Sequence, residues 1–221
     1  NKYKKMAITQ GHAIVCCDRN RRGGLKRIFL MEQGGLGAVA YAAAGSGPGA
    51  DAAGGEFNSF VSAGNWYEFE FDRETAGFTA NATRENGSTL VTVELDFYIP
   101  KVTEEINGRL RELTESCGLY ALVETFADDC DAVAPETYFF ILGYDKVFEK
   151  KAFLEFSSGE QTTGVALQDA NGTQVKLAGV HAEYPREALV VISAANVNPA
   201  NAGQIDLYQT VTGVTNAWSS N

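Results

Sequence analysis

The sequence predicts a mainly β fold, an antiparallel β-sandwich or barrel with one flanking amphipathic helix. Two stretches alternate with the period of a half-buried strand. In Trp66 to Asp72, the side chains of Tyr67, Phe69 and Phe71 point one way and those of Glu68, Glu70 and Asp72 the other. In Leu90 to Ile99, Val91, Val93, Leu95, Phe97 and Ile99 share a face, with Thr92, Glu94 and Asp96 opposite. Further runs rich in Val, Phe, Tyr and Leu recur about every 8–12 residues, the strand spacing of sandwiches and barrels. A single segment, 103–117, has convincing helical periodicity.

Taken in order, Gly11 to Cys17 and Leu25 to Met31 read as strands joined by a turn over Asp18 to Gly24. From Gly34 to Gly55, sixteen of twenty-two residues are Gly or Ala, and Asp51 is the sole charge. Such a segment buries too little apolar area to fix one conformation, so a long mobile loop is expected, running to about residue 64. Trp66 to Asp72 follows as a strand. Phe78 to Thr83 and Thr89 to Ile99 then flank the Asn86-Gly87 hairpin signal, and Pro100 ends the second strand.

Thr103 is a good N-cap, followed by Glu104 and Glu105 in the first turn. Ile106, Leu110, Leu113 and Cys117 form an apolar stripe, Glu105 and Arg109 are an i,i+4 pair, and Gly118 is the expected stop. Strands are expected again at Leu119 to Phe126, Tyr138 to Gly143, Val147 to Phe156, Gly164 to Ala170, Gln174 to Glu183 and Ala188 to Ile192. Asn171-Gly172 marks another hairpin. After Ser193 the composition loosens, with one further strand expected at Ile205 to Val211. The organisation is therefore a β domain over 1–192 and a C-terminal arm over 193–221.

The chain has 221 residues, a hydrophobic fraction of 45%, an aromatic fraction of 11% and a net charge of −10. These are the proportions of a folded protein. The acidic balance argues against binding nucleic acid or an anionic membrane by charge attraction. No apolar run approaches the roughly eighteen residues of a membrane span. Met6-Ala7-Ile8-Thr9 reads as a natural start. Cys16, Cys17, Cys117 and Cys130 lack metal-type spacing and read as reduced thiols of a chain made in a reducing cytosol. The sequons at Asn81, Asn86 and Asn171 read as turn residues, since no secretory signal precedes them.

Three patterns imitate chemical sites. Gly35-Leu36-Gly37-Ala38-Val39-Ala40 matches a dinucleotide fingerprint, with Glu56 about twenty residues on. However, its helix would be cut by Gly45-Ser46-Gly47-Pro48-Gly49, and no strand–helix alternation follows. Asp18, Asn20 and Gly23 imitate the start of a calcium loop, but Arg22 and Phe29 occupy positions that require oxygen ligands. Asp128, Asp129 and Asp131 read as a solvated turn. No nucleophile elbow, zinc-protease motif or phosphate loop occurs. Of the two histidines, His12 and His181, the second lies in a predicted strand and reads as structural. Paired carboxylates among Glu68, Glu70, Asp72, Glu94 and Asp96 read as a solvated face rather than a hydrolytic pair. No cofactor, metal or catalytic site is expected.

Cys17-Asp18, then Gly23-Gly24-Leu25-Lys26 and Ile28-Phe29-Leu30, resembles the opening of small virion structural proteins of tailed bacteriophages. The run Phe78 to Ile99 with its Glu85-Asn86-Gly87 turn, the 103–117 helix and Leu119 to Phe126 resemble the same proteins. So does Gly164 to Glu183 with Tyr184-Pro185-Arg186-Glu187. The likeness covers about Met6 to Ala188, apart from the Gly/Ala loop, which is long for the family.

The resemblance implies a tail tube protein, a β-sandwich or barrel that forms stacked rings, usually hexameric, around a DNA channel. Neighbouring subunits join sheets edge to edge. It implies Glu68, Glu70, Asp72, Glu94 and Asp96 as lumen-facing residues, because a negative wall does not hold a passing polyanion. It implies Gly34, Gly45, Pro48, Asp51 and Gly55 as an inter-ring loop. Leu207, Tyr208 and Trp218 would be apolar anchors of the arm. The implied partners are further copies of the chain, other virion tail proteins and transiently passing DNA, with no membrane. The implied location is the virion, after synthesis in the host cytoplasm. The alternatives are a head-decoration or head–tail connector protein and, more distantly, an enzymatic or ligand-binding β-sandwich.

Overall fold

Two β-sheets face each other across an apolar layer, and one helix lies at its margin. The computed structural model describes residues 23–41, 57–62, 66–85, 87–128, 137–164, 166, 169–188 and 204–205. Their elements are β1 (Leu25–Glu32), β2 (Leu36–Tyr41), β3 (Phe57–Ser62), β4 (Trp66–Glu68), β5 (Gly77–Glu85) and β6 (Ser88–Pro100). There follow α1 (Glu104–Glu115), β7 (Leu119–Asp128), β8 (Thr137–Leu142), β9 (Glu155–Thr162), β10 (Gly172–His181), β11 (Arg186–Ala188) and β12 (Gln204–Ile205). An eight-stranded sheet has the order β12-β4-β1-β7-β8-β11-β3-β2, and a four-stranded sheet has the order β5-β6-β10-β9. Neighbours are antiparallel except β11 and β3. The sheets are open, so the fold is a sandwich rather than a closed barrel.

The layer between the sheets is built from alternate residues of the strands. Val91, Val93, Leu95 and Phe97 of β6, with Val175 and Leu177 of β10, meet Ile28, Leu30, Ala121 and Val123 of the larger sheet. Ile106, Leu110 and Leu113 of α1 close one margin of this layer. The larger sheet is also buried on its other face, where Phe29, Met31, Leu36, Trp66, Tyr120, Leu122 and Ile141 form a second cluster. Burial on both faces explains why β7 reads as a nearly continuous apolar run rather than an alternating one.

Several expectations are corrected. The Trp66 to Asp72 strand stops at Glu68, and the chain then crosses from one sheet to the other. Phe69 N–H bonds the Ile28 carbonyl at 2.9 Å, whereas Asp72 N–H bonds the Tyr98 carbonyl at 3.0 Å. The crossing breaks the alternation. Trp66 is buried and Tyr67 is 48% exposed, while Phe69 and Phe71 pack on the core.

The Gly34 to Gly55 loop is also partly overturned. Gly34 lies in a 3-10 turn, and Leu36–Tyr41 pairs with Phe57–Ser62. Leu36, 1% exposed, supplies the apolar anchor that composition averaging hides. Val147 to Phe156 is mostly a turn. Asp145 Oδ1 captures the N–H groups of Val147 (2.8 Å) and Phe148, and Glu149 has φ of 52°. Of the strand expected at Gly164 to Ala170, the described residues Gly164, Ala166, Asp169 and Ala170 lie outside β9 and β10, with Gly164 at φ 69° and Ala166 N–H bonded to Asp169 Oδ2 at 2.7 Å.

The helix is capped as expected, Ile106 N–H donating to Thr103 Oγ1 at 3.2 Å. Its end differs. Ser116 is extended, and Gly118 is needed because a Cβ there would lie 2.6 Å from the Phe153 ring. Cys117 is exposed. Arg109 pairs with Glu112 at 3.3 Å rather than with Glu105, and Arg111 with Glu104 at 3.0 Å. The expected Gly11–Cys17 strand lies outside the described residues.

Between β8 and β9 the chain passes from one sheet to the other. Leu154 exchanges backbone bonds with Leu119 at 2.8 and 2.9 Å, and the next residue enters the four-stranded sheet. Gly118, Gly143 and Gly179 converge on this corner. A Cβ at Gly179 would lie 2.7 Å from the Phe153 carbonyl, and one at Gly143 2.6 Å from that of Leu119. Gly143 also has φ of 90°, a conformation that costs any other residue strain.

Candidate functional site

Cross-strand partners in an antiparallel sheet share a face. The outward face of the four-stranded sheet can therefore be read from its register. Lys176 lies opposite Asp96, and Ala178 opposite Glu94. On the other side of β10, Glu160 lies opposite Gln174, Ser158 opposite Lys176 and Glu155 opposite Ala178. A bulge at Ser157 keeps Phe156 directed to the core while Glu155 remains outward. Among the described residues, this face thus carries Glu94, Asp96, Glu155 and Glu160 against one cation, Lys176, whose Nζ is 2.7 Å from Glu94 Oε2. The Glu94 hydrogen bond raises the Lys176 pKa despite some desolvation. The sequence pattern alone does not locate β9, so it does not reveal Glu155 and Glu160 on this face.

The acidic side of Trp66 to Asp72 does not join this face. Glu68 belongs to the eight-stranded sheet, opposite Phe29, whereas Glu94 and Asp96 belong to the other sheet. Glu70 and Asp72 are exposed in the crossing that follows β4. The expectation of one continuous acidic sheet is therefore corrected, and Glu68 occupies a different electrostatic setting.

That setting is built by a bulge in β1. The pairing of Leu25 with Thr125 and of Arg27 with Glu124 leaves Lys26 as the extra residue. Two cations thus reach one carboxylate. Lys26 Nζ lies 2.7 Å from Glu124 Oε1, and Arg27 Nε bonds Oε2. Glu124 itself is 1% exposed. Burial alone would raise its pKa, but the hydrogen bonds and charges of Arg27 and Lys26 prevail and lower it. Glu68, near Arg27, is shifted upward, first by burial and then by Glu70 and Glu124. A lone Glu inside the apolar β7 run, facing a Lys-Arg pair, was the available sequence signal.

Gly35 to Ala40 lies in a 3-10 turn and β2, so the imitation fingerprint opens no helix. Among the described residues, no group of three or more His, Cys, Asp or Glu could hold a metal, and no helix is long and apolar enough to cross a membrane. Gly45, Pro48, Asp51, Gly55, Leu207, Tyr208 and Trp218 lie outside the described residues. So do Cys16, Cys17, Cys130, His12, Asp129 and Asp131. No protein-family model, curated protein or solved structure matches the chain.

Proposed function

We propose that the chain is a structural, non-enzymatic subunit of a phage tail tube that assembles into stacked rings around a DNA channel. The observation that supports this reading most is the four-stranded sheet. β5 and β9 are its edges, of nine and eight residues, each paired on one side only among the described residues. Neither contains Pro or Lys, residues that commonly block edge pairing. Joining β5 of one copy to β9 of the next would give a continuous sheet whose outward face repeats Glu94, Asp96, Glu155 and Glu160. Repeated around a ring, that surface is a negative wall, suited to passing DNA without retaining it.

Of the five acidic residues that the resemblance implies for the lumen, this reading keeps Glu94 and Asp96 there. Glu68, Glu70 and Asp72 fall outside the wall. The test is electron microscopy of the purified full chain at increasing concentration. Rings or tubes with a central channel a few nanometres wide are expected. A chain that stays monomeric at every concentration overturns the assignment.

A further inference from the structure

The corner between the sheets holds a buried polar cluster whose contacts all lie within one chain. His181 ends β10 and is fully buried. Its Nε2 accepts from the Gly143 N–H at 3.3 Å, which places the neutral ring's proton on Nδ1. Nδ1 makes no well-formed hydrogen bond, although the Ala152 carbonyl is near enough to favour a protonated ring. The next two residues extend the grip. Ala182 N–H donates to Asp145 Oδ2 at 2.8 Å, and Glu183 Oε1 accepts from Lys146 N–H at 2.9 Å. Three consecutive residues after Val180 therefore hold the turn that leads into the sheet-crossing segment.

We propose that His181 is an acid-sensitive latch: the neutral ring holds the Gly143 turn against β10, and protonation releases this corner. Protonation turns Nε2 from an acceptor into a donor, so it would face the Gly143 N–H donor to donor in a buried site. Two acidic groups face the ring, Asp145 from the turn after β8 and Glu183 beyond β10. Glu183 accepts from the Lys146 backbone N–H and from the Arg186 guanidinium, the latter through bonds of 2.8 and 2.5 Å. β6 places Val91 opposite His181. The Asp145 carboxylate already accepts from the N–H groups of Val147, Phe148 and Ala182, so it would have to abandon its turn to neutralise the cation.

Burial pushes the imidazole below its usual range, and it outweighs Asp145, the Ala152 carbonyl and Glu183, which all favour the cation. The native state therefore binds this proton more weakly than the unfolded chain. Its stabilising effect is complete above about pH 6.5 and declines as the pH falls below that value toward the native pKa. The latch does not depend on the tube assignment, since every contact lies within one chain.

Native-state amide exchange of the full chain between pH 7.5 and 5 tests it. Protection at Gly143 and Ala182 is expected to start below that of the β6 amides from Val93 to Phe97, because this corner opens locally, and to fall about tenfold per pH unit below about 6.5. In H181Q the side-chain oxygen can still accept from Gly143 and no charge can form, so protection should stay level. An equal acid loss in H181Q, or protection at Gly143 and Ala182 equal to that of β6 at every pH, which would mean release only with the whole fold, overturns the proposal. If H181Q does not fold, the ring nitrogen shifts of the unmodified protein decide. A neutral Nδ1–H ring at pH 6 in the protected state supports the latch. An imidazolium at pH 6 with Gly143 still protected overturns it.

Discussion

Two carboxylates on the same face of the larger sheet respond oppositely to their surroundings. Glu124 is buried but held by Arg27 and Lys26, and its pKa lies below the usual value. Its contribution is present above the unfolded pKa of about 4.3 and is lost as pH falls through the lowered native value. Glu68, shifted upward by burial, Glu70 and Glu124, has the opposite sign and carries a penalty once ionised. E124Q should cost about 2 kcal/mol at pH 7, because hydrogen bonds to charged donors are lost from a buried site. E68Q should instead raise Tm at pH 7 by no more than about 2 °C, a solvent-screened effect, and that gain should vanish at pH 4. Denaturant and thermal melts at both pH values check the pair. Equal signs for the two variants would refute the electrostatic assignment.

At the scale of elements, glycines separate local propensity from tertiary demand. Gly108 sits inside α1 with nothing within 4 Å of where its Cβ would be. G108A should stabilise by about 0.8–1 kcal/mol, the helix-propensity difference. Gly143 has φ of 90° and no room beside the Leu119 carbonyl, so G143A should cost about 2–4 kcal/mol. Urea unfolding of both variants measures the contrast.

The same division governs what was legible. β1, β5, β6, β7, β8, β10 and the body of α1 follow from periodicity and capping. β4 and β9 were misplaced because each adjoins a crossing between sheets. There the ladder partner changes, and period-two alternation no longer reports which side is buried. The loop expected over 34–64 hides both β2 and β3, because its Gly and Ala composition outweighs Leu36, whose anchor position is visible only once β3 pairs beside it.

For the whole molecule, the net charge of −10 sets the main obstacle to self-association. Copies that bring Glu94, Asp96, Glu155 and Glu160 together repel one another, and salt screens that repulsion over about 8–10 Å at physiological strength. If copies join as proposed, assembly should therefore strengthen between about 20 and 500 mM salt, with sedimentation velocity showing growth of the oligomer fraction. Weaker association at high salt would mean that attraction between charges, rather than edge pairing, holds the copies.

The sequence by itself determined the mainly β class, the β5–β6 hairpin, the capped helix and the alternating faces of β6. Each depends on neighbours in the chain or on a repeating period. Tertiary structure alone decided that Glu68 and Glu94 lie in different sheets, that Glu155 and Glu160 enlarge the acidic face, and that Glu124 and His181 are buried among polar partners. These outcomes depend on two bulges, two sheet crossings and the pairing of residues far apart in sequence. No local pattern specifies which strand becomes a neighbour.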